Sequence, residues 1–282
     1  MKGAPASAGL LGDTPDRDYS HKLRLFNSFA APELRRALAS LDLKPGMSVL
    51  DAGCGTGETL QWLLQAVGPS GKAVGIDLAT AHVAAARARV SPEALVLQAD
   101  VLEAPFPPKS FDAIWCANTI NHLREPARGV QALTTLLRPG GRIALGQSAL
   151  VPEMYFAWDS RLERLVNEAV RQYYRDRYGL SEFDLRSTRA IVGLLRQGRL
   201  RDVTARTFMI ERCSPLDPPD EVYLCEAIFR DTWGERLRPY LSDEDFATLS
   251  RLCDNRDPQF ALRRPDFHFL QSFTVAVGQF QP

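Results

Sequence analysis

Ser48–Gly57, SVLDAGCGTG, places glycine at three alternate positions, Gly53, Gly55 and Gly57, directly behind a short apolar run. Ser48 to Ala52 reads as a buried strand and Glu58 to Val67 as a helix. A strand that ends in glycines and passes into a helix brings bare backbone N–H groups and a helix N-terminus to one point. That suits an anion or a polar cofactor. The spacing here is G-x-G-x-G, and Glu58 follows the third glycine at once, where a dinucleotide fingerprint has two more residues and a final Gly or Ala. An acid at the helix start opposes a diphosphate, while a neutral or zwitterionic ligand suffers less. Asp51, one turn upstream, can support an ammonium group directly or through water.

Outward from this turn, strand-like and helix-like runs alternate as far as Gly146, the pattern of a parallel sheet covered by helices. The further strands are Ala73 to Asp77, Ala94 to Gln98, Phe111 to Ala117 and Arg142 to Gly146, with helices at Ala79 to Val90 and Ala127 to Leu137. RPGG, Arg138 to Gly141, reads as a type II turn that ends the last of these helices and starts the fifth strand. Asp77 stands at the carboxyl end of the second strand, where a carboxylate can accept hydrogen bonds from both hydroxyls of a ribose. Asp100 and Val101 follow the third strand, where an acid can accept from an adenine amine and a backbone N–H can reach the ring. Ribose, adenine and a charged amino-acid end are the parts of S-adenosylmethionine.

The whole chain narrows the reading further. At 282 residues and 45% hydrophobic, it can bury a full core. Its 34 basic and 34 acidic residues cancel, so no strong field invites a polyanion and no nucleic acid is expected as partner. The five cysteines form neither a CxxC pair nor a disulfide framework, which points to a reducing cytoplasm. No apolar run approaches the roughly 20 residues that span a bilayer, and Met1 to Asp18 lacks the basic head and apolar core of a signal peptide. A soluble cytoplasmic protein, monomeric or homodimeric, is the expectation.

Before and after the alternating core the pattern differs. Residues 1–18 read as a flexible leader, and residues 19–46 as two short helices, the second opened by Pro32. Asp159 to Tyr178 repeats apolar residues at helical spacing behind a capping Asp159, and Ser187 to Gln197 is a further helix that stops at Gly198. Val203 to Ile210 and Leu270 to Gly278 read as strands. Between them lies a stretch rich in acids with a helix at Asp243 to Cys253, capped by Ser242.

The stretch Val49 to Gly146 resembles the class I S-adenosylmethionine-dependent methyltransferases. VLDAGCGTG looks like their glycine motif, AVGIDLA their ribose-binding acid, QADVLEAPF their adenine-binding loop, and FDAIWCANTINHL the strand and loop beside the reaction centre, with LLRPGGRIAL following. NTINHL and LLRPGG are similar in style to the quinone-biosynthesis and small-molecule branch. The resemblance implies an α/β, Rossmann-like sheet of seven strands in the order 3-2-1-4-5-7-6, with helices on both faces. It places a core at residues 47–148, an insertion at 149–186, a core helix and sixth strand at 187–210, a second insertion at 211–267 and the last strand at 268–282. The two insertions should then emerge at the ligand edge and form one mostly helical cap, while residues 19–46 cover the cofactor.

Carried over residue by residue, the resemblance puts Asp51, Gly53, Gly55 and Gly57 around the methionine part of S-adenosyl-L-methionine, with the Gly53 carbonyl near its amine. Asp77 takes the ribose, Leu78 packs on the adenine, Asp100 and Val101 bind its edge, and the Asn118 carbonyl faces the ammonium. A sulfonium methyl is already activated, so the enzyme mainly aligns a nucleophile and keeps water out, releasing S-adenosyl-L-homocysteine. His122, in the loop after the fourth strand, is the candidate base. Tyr19, Tyr155, Trp158 and His268 are candidates to touch substrate, among cap aromatics that include Phe156, Tyr173, Tyr174, Trp233, Phe260 and Phe267. No metal site is visible in the sequence. The expected reaction is methylation of a small, partly apolar molecule at oxygen, carbon or nitrogen by in-line displacement. The alternatives are an NAD-dependent oxidoreductase, because Asp77 can equally hold an NAD ribose, and a non-catalytic S-adenosylmethionine-binding protein.

Overall fold

A computed structural model describes residues 18–149, 153–155, 159–179 and 187–281. The expected leader, but for Asp18, and the candidates Phe156 and Trp158 lie outside the described residues. The chain begins with α1 (Ser20–Phe29) and α2 (Ala31–Leu38), then enters β1 (Ser48–Ala52), α3 (Glu58–Val67), β2 (Lys72–Asp77), α4 (Thr80–Arg89) and β3 (Leu95–Gln98). It continues through β4 (Phe111–Ala117), α5 (Pro126–Thr135), β5 (Leu137–Ser148), β6 (Glu153–Tyr155), α6 (Ser160–Tyr178) and α7 (Ser187–Gln197). β7 (Arg201–Cys213), α8 (Pro218–Tyr223), α9 (Asp243–Cys253) and β8 (His268–Gln279) complete it. A π-helical stretch, Leu224–Arg230, continues α8.

Five strands are parallel in the order β3-β2-β1-β4-β5, and β8 runs antiparallel to β5. β7 pairs antiparallel with β8 along its whole length, from His268 to Gln279. Counting the long strands alone, this is the expected order 3-2-1-4-5-7-6. β6 was not foreseen: the first insertion opens with three residues, Glu153 to Tyr155, that pair with Leu270 to His268 and so extend the β5 edge of β8.

Alternation along the strands feeds two cores. Val49, Ala113 and Trp115 face one cluster, while Leu50, Ile114 and Cys116 face the other with α5 and α7. The first cluster runs without a break into the insertions, through Leu162, Val166, Tyr223, Trp233 and Phe260. Trp233, Phe260 and Phe267, read from sequence as possible pocket walls, are buried in this core. The insertions therefore extend the fold's own packing on one face. α6 joins the second insertion through Arg161 and Asp245, whose nearest atoms lie 2.6 Å apart, and through Tyr173 edge-on to Tyr240.

RPGG behaves differently from expectation. β5 already begins at Leu137, paired with Phe111, and the register shifts before Ala113 pairs with Arg142. Gly140 does take a positive φ of 81°, but within a bulge, and its N–H donates to the Phe280 carbonyl at 2.8 Å. The bulge absorbs the extra residues without ending the strand, because both flanking backbones still find partners.

Candidate active site

All three glycines of the opening motif have left-handed backbone, with φ of 81°, 52° and 87°. Their surroundings differ. A Cβ on Gly53 would lie 2.0 Å from Thr119 Oγ1, and one on Gly57 would meet Val90 Cγ1 at 2.9 Å and the α4 backbone at Ala86 at 3.1 Å. Gly53 and Gly57 thus let the turn pack against β4 and α4. Gly55 meets only Leu23 Cδ1 of α1, the far end of a flexible side chain, at 3.2 Å. The turn is strapped to β2 because Gly53 N–H and Cys54 N–H both donate to the Ile76 carbonyl, at 2.8 and 2.9 Å.

Parallel register brings Asp51 and Asp77 to neighbouring strand ends. Asp77 Oδ2 accepts from Gly55 N–H at 2.9 Å, Oδ1 accepts from Ala79 N–H at 3.0 Å, and His82 Nδ1 lies 3.2 Å from Oδ1. Asp51 is 1% exposed and its Oδ2 has no hydrogen-bond partner among the described residues. Burial first, and then the carboxylates of Asp77 and Glu58, push its pKa up to about 8. A buried acid with an unsatisfied oxygen beside a second carboxylate is a place that gains from a cationic donor.

Glu58 turns away from the ligand role that its position at the helix start might give it. Thr56 Oγ1 donates to it at 2.5 Å and Asn27 Nδ2 at 2.9 Å, and Arg89 lies 3.0 Å from its other oxygen. It ties α1, α3 and α4 together behind the turn. Leu78 is half-buried against the second core cluster, with its carbonyl accepting from Gln98 at 3.1 Å. Asp100 caps the turn that follows β3 by accepting from Leu102 N–H at 2.8 Å, and Val101 is buried.

Asn118 sits at the end of β4 with a φ of 50°. Its side chain accepts from Ser148 N–H at 2.8 Å and donates to Ser148 Oγ at 3.2 Å, which fastens the ends of β4 and β5. That clasp holds its main chain in the left-handed region. His122 closes the short turn after β4, and burial pulls its pKa below the ordinary imidazole value. It is therefore neutral and able to accept a proton near pH 7. The thiols flanking this region are unreactive: burial raises Cys54 strongly and pushes Cys116 up to about 12.

Three further residues near the site are not among the candidates read from the sequence. His82 is buried against Asp77, its Nε2 and the buried Oδ1 of Asn121 find no hydrogen-bond partner among the described residues, and Leu23 covers Gly55. Only the spacing from Asp77 to His82 marks the first. The remaining candidates spread out. Tyr19 is half-buried at the start of α1, and Tyr155 occupies β6 opposite His268. His268 lies 2.7 Å from Glu211 on the outer strands. α1 itself spans the site: Leu23 reaches Gly55, Asn27 reaches Glu58, and His21 contacts Glu226 of the second insertion at 2.7 Å.

Residues 49–141 match a family model described as a methyltransferase domain. Over this stretch the chain matches the class I S-adenosylmethionine-dependent methyltransferase superfamily. Among its relatives, a 27-O-demethylrifamycin SV methyltransferase of Amycolatopsis mediterranei is 33% identical over 42% of this chain and 44% of its own length. A 2-phytyl-1,4-naphtoquinone methyltransferase of Thermosynechococcus vestitus is 36% identical over 37% of this chain and 48% of its own. The matched stretch thus spans less than half the length of either relative. A Haemonchus contortus phosphoethanolamine N-methyltransferase 2, solved with S-adenosyl-L-methionine, shares the fold at a TM-score of 0.55 and 17% identity, covering 96% of this chain and 60% of that one. The cofactor of this superfamily is S-adenosylmethionine, and the orphaned Asp51 oxygen beside Asp77 fits its charged amino-acid end.

Proposed function

We propose that this methyltransferase domain carries a methyl group to a small, partly apolar acceptor, at oxygen, carbon or nitrogen, by in-line displacement. The observation that carries the reading is the buried, unsatisfied Asp51 carboxyl, set between three left-handed glycines and a second acid on the adjacent strand. Asp51 and the Gly53 carbonyl receive the ammonium end of the cofactor, Asp77 its ribose, and Leu78, Asp100 and Val101 its adenine. When bound, S-adenosylmethionine supplies an electrophilic methyl. The chain's own part is to orient the acceptor, exclude water and take a proton where the acceptor must lose one, which the neutral His122 can do.

Substrate choice belongs to α1 and the two insertions, including Tyr19, Tyr155 and Trp158. The names of the relatives, a rifamycin and a naphthoquinone methyltransferase, favour an acceptor with a hydroxyl or ring carbon on an apolar body. Calorimetry with S-adenosylhomocysteine and with NADH tests the cofactor. Binding of NADH alone would overturn the reading in favour of an oxidoreductase. Transfer of a labelled methyl from S-adenosylmethionine into a metabolite extract, followed by mass spectrometry of the product, tests the activity. Cofactor binding without any labelled product would leave a binding protein.

A further inference from the structure

We propose that Glu211, Cys213 and His268 form a binding site for a thiophilic divalent cation of the zinc class, one that clasps the neck of the second insertion. Cys213 is the last residue of β7 and His268 the first of β8, so the whole of residues 214–267 leaves and returns between them. The antiparallel register pairs Cys213 with His268 and Glu211 with Leu270. Because side chains alternate across a strand, Glu211, Cys213 and His268 share one face, and the ladder, not side-chain rotamers, fixes their meeting. One ligand atom from each lies within 4.8 Å of the others, and His268 Nε2 is 2.7 Å from Glu211 Oε1.

The donor set is what distinguishes this cluster from a surface ion pair. A thiolate, an imidazole and a carboxylate together are a zinc-type set, with a fourth position left for water or an exchangeable ligand. Bonds of roughly 2.0 to 2.3 Å in a tetrahedron put ligand atoms roughly 3.3 to 3.8 Å apart. The thiol must draw in and the imidazole and carboxylate part by less than their present spread, all by rotation of side chains that are exposed or partly so. Binding releases the thiol proton, and the imidazolium proton where present, to solvent; the cation with one thiolate and one carboxylate is then neutral. Without the cation, the exposed Glu211–His268 pair alone holds little. With it, both ends of a long insertion are fixed at one point, which removes loop-closure freedom much as a disulfide does.

The test uses the full chain, stripped with a chelator and titrated with Co2+ and then Zn2+. The expected result is one equivalent of Co2+ giving a thiolate charge-transfer band and intense tetrahedral d–d absorption, displaced by Zn2+. Cys213→Ser should abolish the charge-transfer band. His268→Gln should weaken binding by more than the 10- to 100-fold that loss of an outer partner costs a metal site. All three side chains are partly or fully exposed, so these variants should fold, and far-UV circular dichroism checks it. Zn2+ should also raise the melting midpoint of the wild type but not of Cys213→Ser, and should slow hydrogen exchange in residues 214–267. No band, or a band that survives both substitutions, overturns the site. Binding that leaves exchange in 214–267 unchanged overturns the clasp. None of these readouts depends on methyl transfer.

Discussion

In residues 48–146 the polar residues of the site are placed by strand register, whereas residues 159–179 and 214–267, the described helical parts of the two insertions, are held by side-chain packing. Asp51, Asp77 and Asn118 each sit at the carboxyl end of a parallel strand, and the ladder fixes their spacing before any side chain is chosen. In the insertions, α6 meets α9 through the Arg161–Asp245 pair and Tyr240 through Tyr173, while within the second insertion Phe229 stacks on Trp233 and lies edge-on to Phe260. A turn fixed by backbone tolerates few residue types at each position. A surface fixed by packing tolerates many. The first region can therefore carry a motif, and the second is free to vary in sequence.

The sharpest way to break this comparison lies within the glycine turn. Gly53→Ala sets a Cβ against Thr119 Oγ1, which already donates to the Ala117 carbonyl at 2.9 Å, and it also forces a left-handed φ on a residue with a side chain. Overpacking and the backbone term together should lower stability by roughly 2 to 5 kcal/mol, read by denaturant melts. Gly55→Ala meets only the end of Leu23 and should cost about 1 to 2 kcal/mol from φ alone. Gly55→Val, whose branched side chain intrudes between α1 and the cofactor, should abolish binding while the protein still folds. Equal stability of the two alanine variants would show that the turn is not held as described.

Asp77→Ala comes next. Loss of two charge-assisted hydrogen bonds to the ribose should weaken S-adenosylhomocysteine by roughly 2 to 4 kcal/mol in calorimetry. The sequence alone leaves folding untouched by this change, since the residue ends a strand. The structure adds a cost, because Gly55 N–H and Ala79 N–H both lose their acceptor. A melt should show about 1 to 3 kcal/mol of destabilisation. Asp77→Asn, which keeps an acceptor oxygen, should recover part of the stability but little of the affinity.

What could be read from the sequence follows the same division. β1, β4 and α3 have the residues expected of them, because apolar runs bounded by glycine or acid leave little choice of boundary. The strand order came from the resemblance. The ends of α6, α7 and α9 also agree, since Asp159, Gly198 and Ser242 are local stop and start signals. β6 escaped notice because three residues are too few for a period. The engagement of Glu58 by Asn27 and Arg89, the contact of His82 with Asp77 and the cover of Leu23 over Gly55 each join residues distant in sequence or on different elements. Apart from the short Asp77–His82 spacing, no spacing rule encodes those meetings. The same holds for the cluster of Glu211, Cys213 and His268, which only the β7–β8 register brings together.

Asp51 offers an effect with a defined pH signature. Its ordinary pKa of 3.8 is raised to about 8 by burial, so between these values the unfolded chain releases a proton that the folded chain keeps. Folding then binds protons, and this group's contribution to stability falls as pH rises from about 4 to about 8 and is flat beyond. Asp51→Asn should remove that slope from the unbound protein and raise its melting midpoint at pH 8 relative to wild type. Cofactor affinity in the wild type should rise with pH over the upper part of the window, because a bound ammonium favours the ionised carboxyl. It should rise less in the variant. A parallel pH profile for both proteins would remove Asp51 from the ammonium site.

The subtlest test concerns α1, the element that touches both regions. Leu23 covers Gly55 and Asn27 holds Glu58, while His21 contacts Glu226 and Lys22 Nζ lies 3.4 Å from Thr232 Oγ1. Methyl transfer needs water excluded, yet cofactor and product must exchange, so a covering element has to open in each cycle. α1 is held to the rest by side-chain packing, with Phe29 buried on Tyr223 and Phe269 at its end, whereas β1 and β4 are hydrogen-bonded along both edges. Its amides should therefore exchange faster in the unbound protein, and S-adenosylhomocysteine should slow them by a larger factor than it slows the already protected strands. α6 should follow to a lesser degree, since it packs on the second insertion and not on the turn. Asn27→Ala should raise exchange in α1 without ligand, and should affect turnover more than cofactor affinity, the mark of lost closure. If α1 exchanges alike with and without S-adenosylhomocysteine, and Asn27→Ala leaves turnover unchanged, then α1 is a fixed wall and entry to the site runs through the insertions alone.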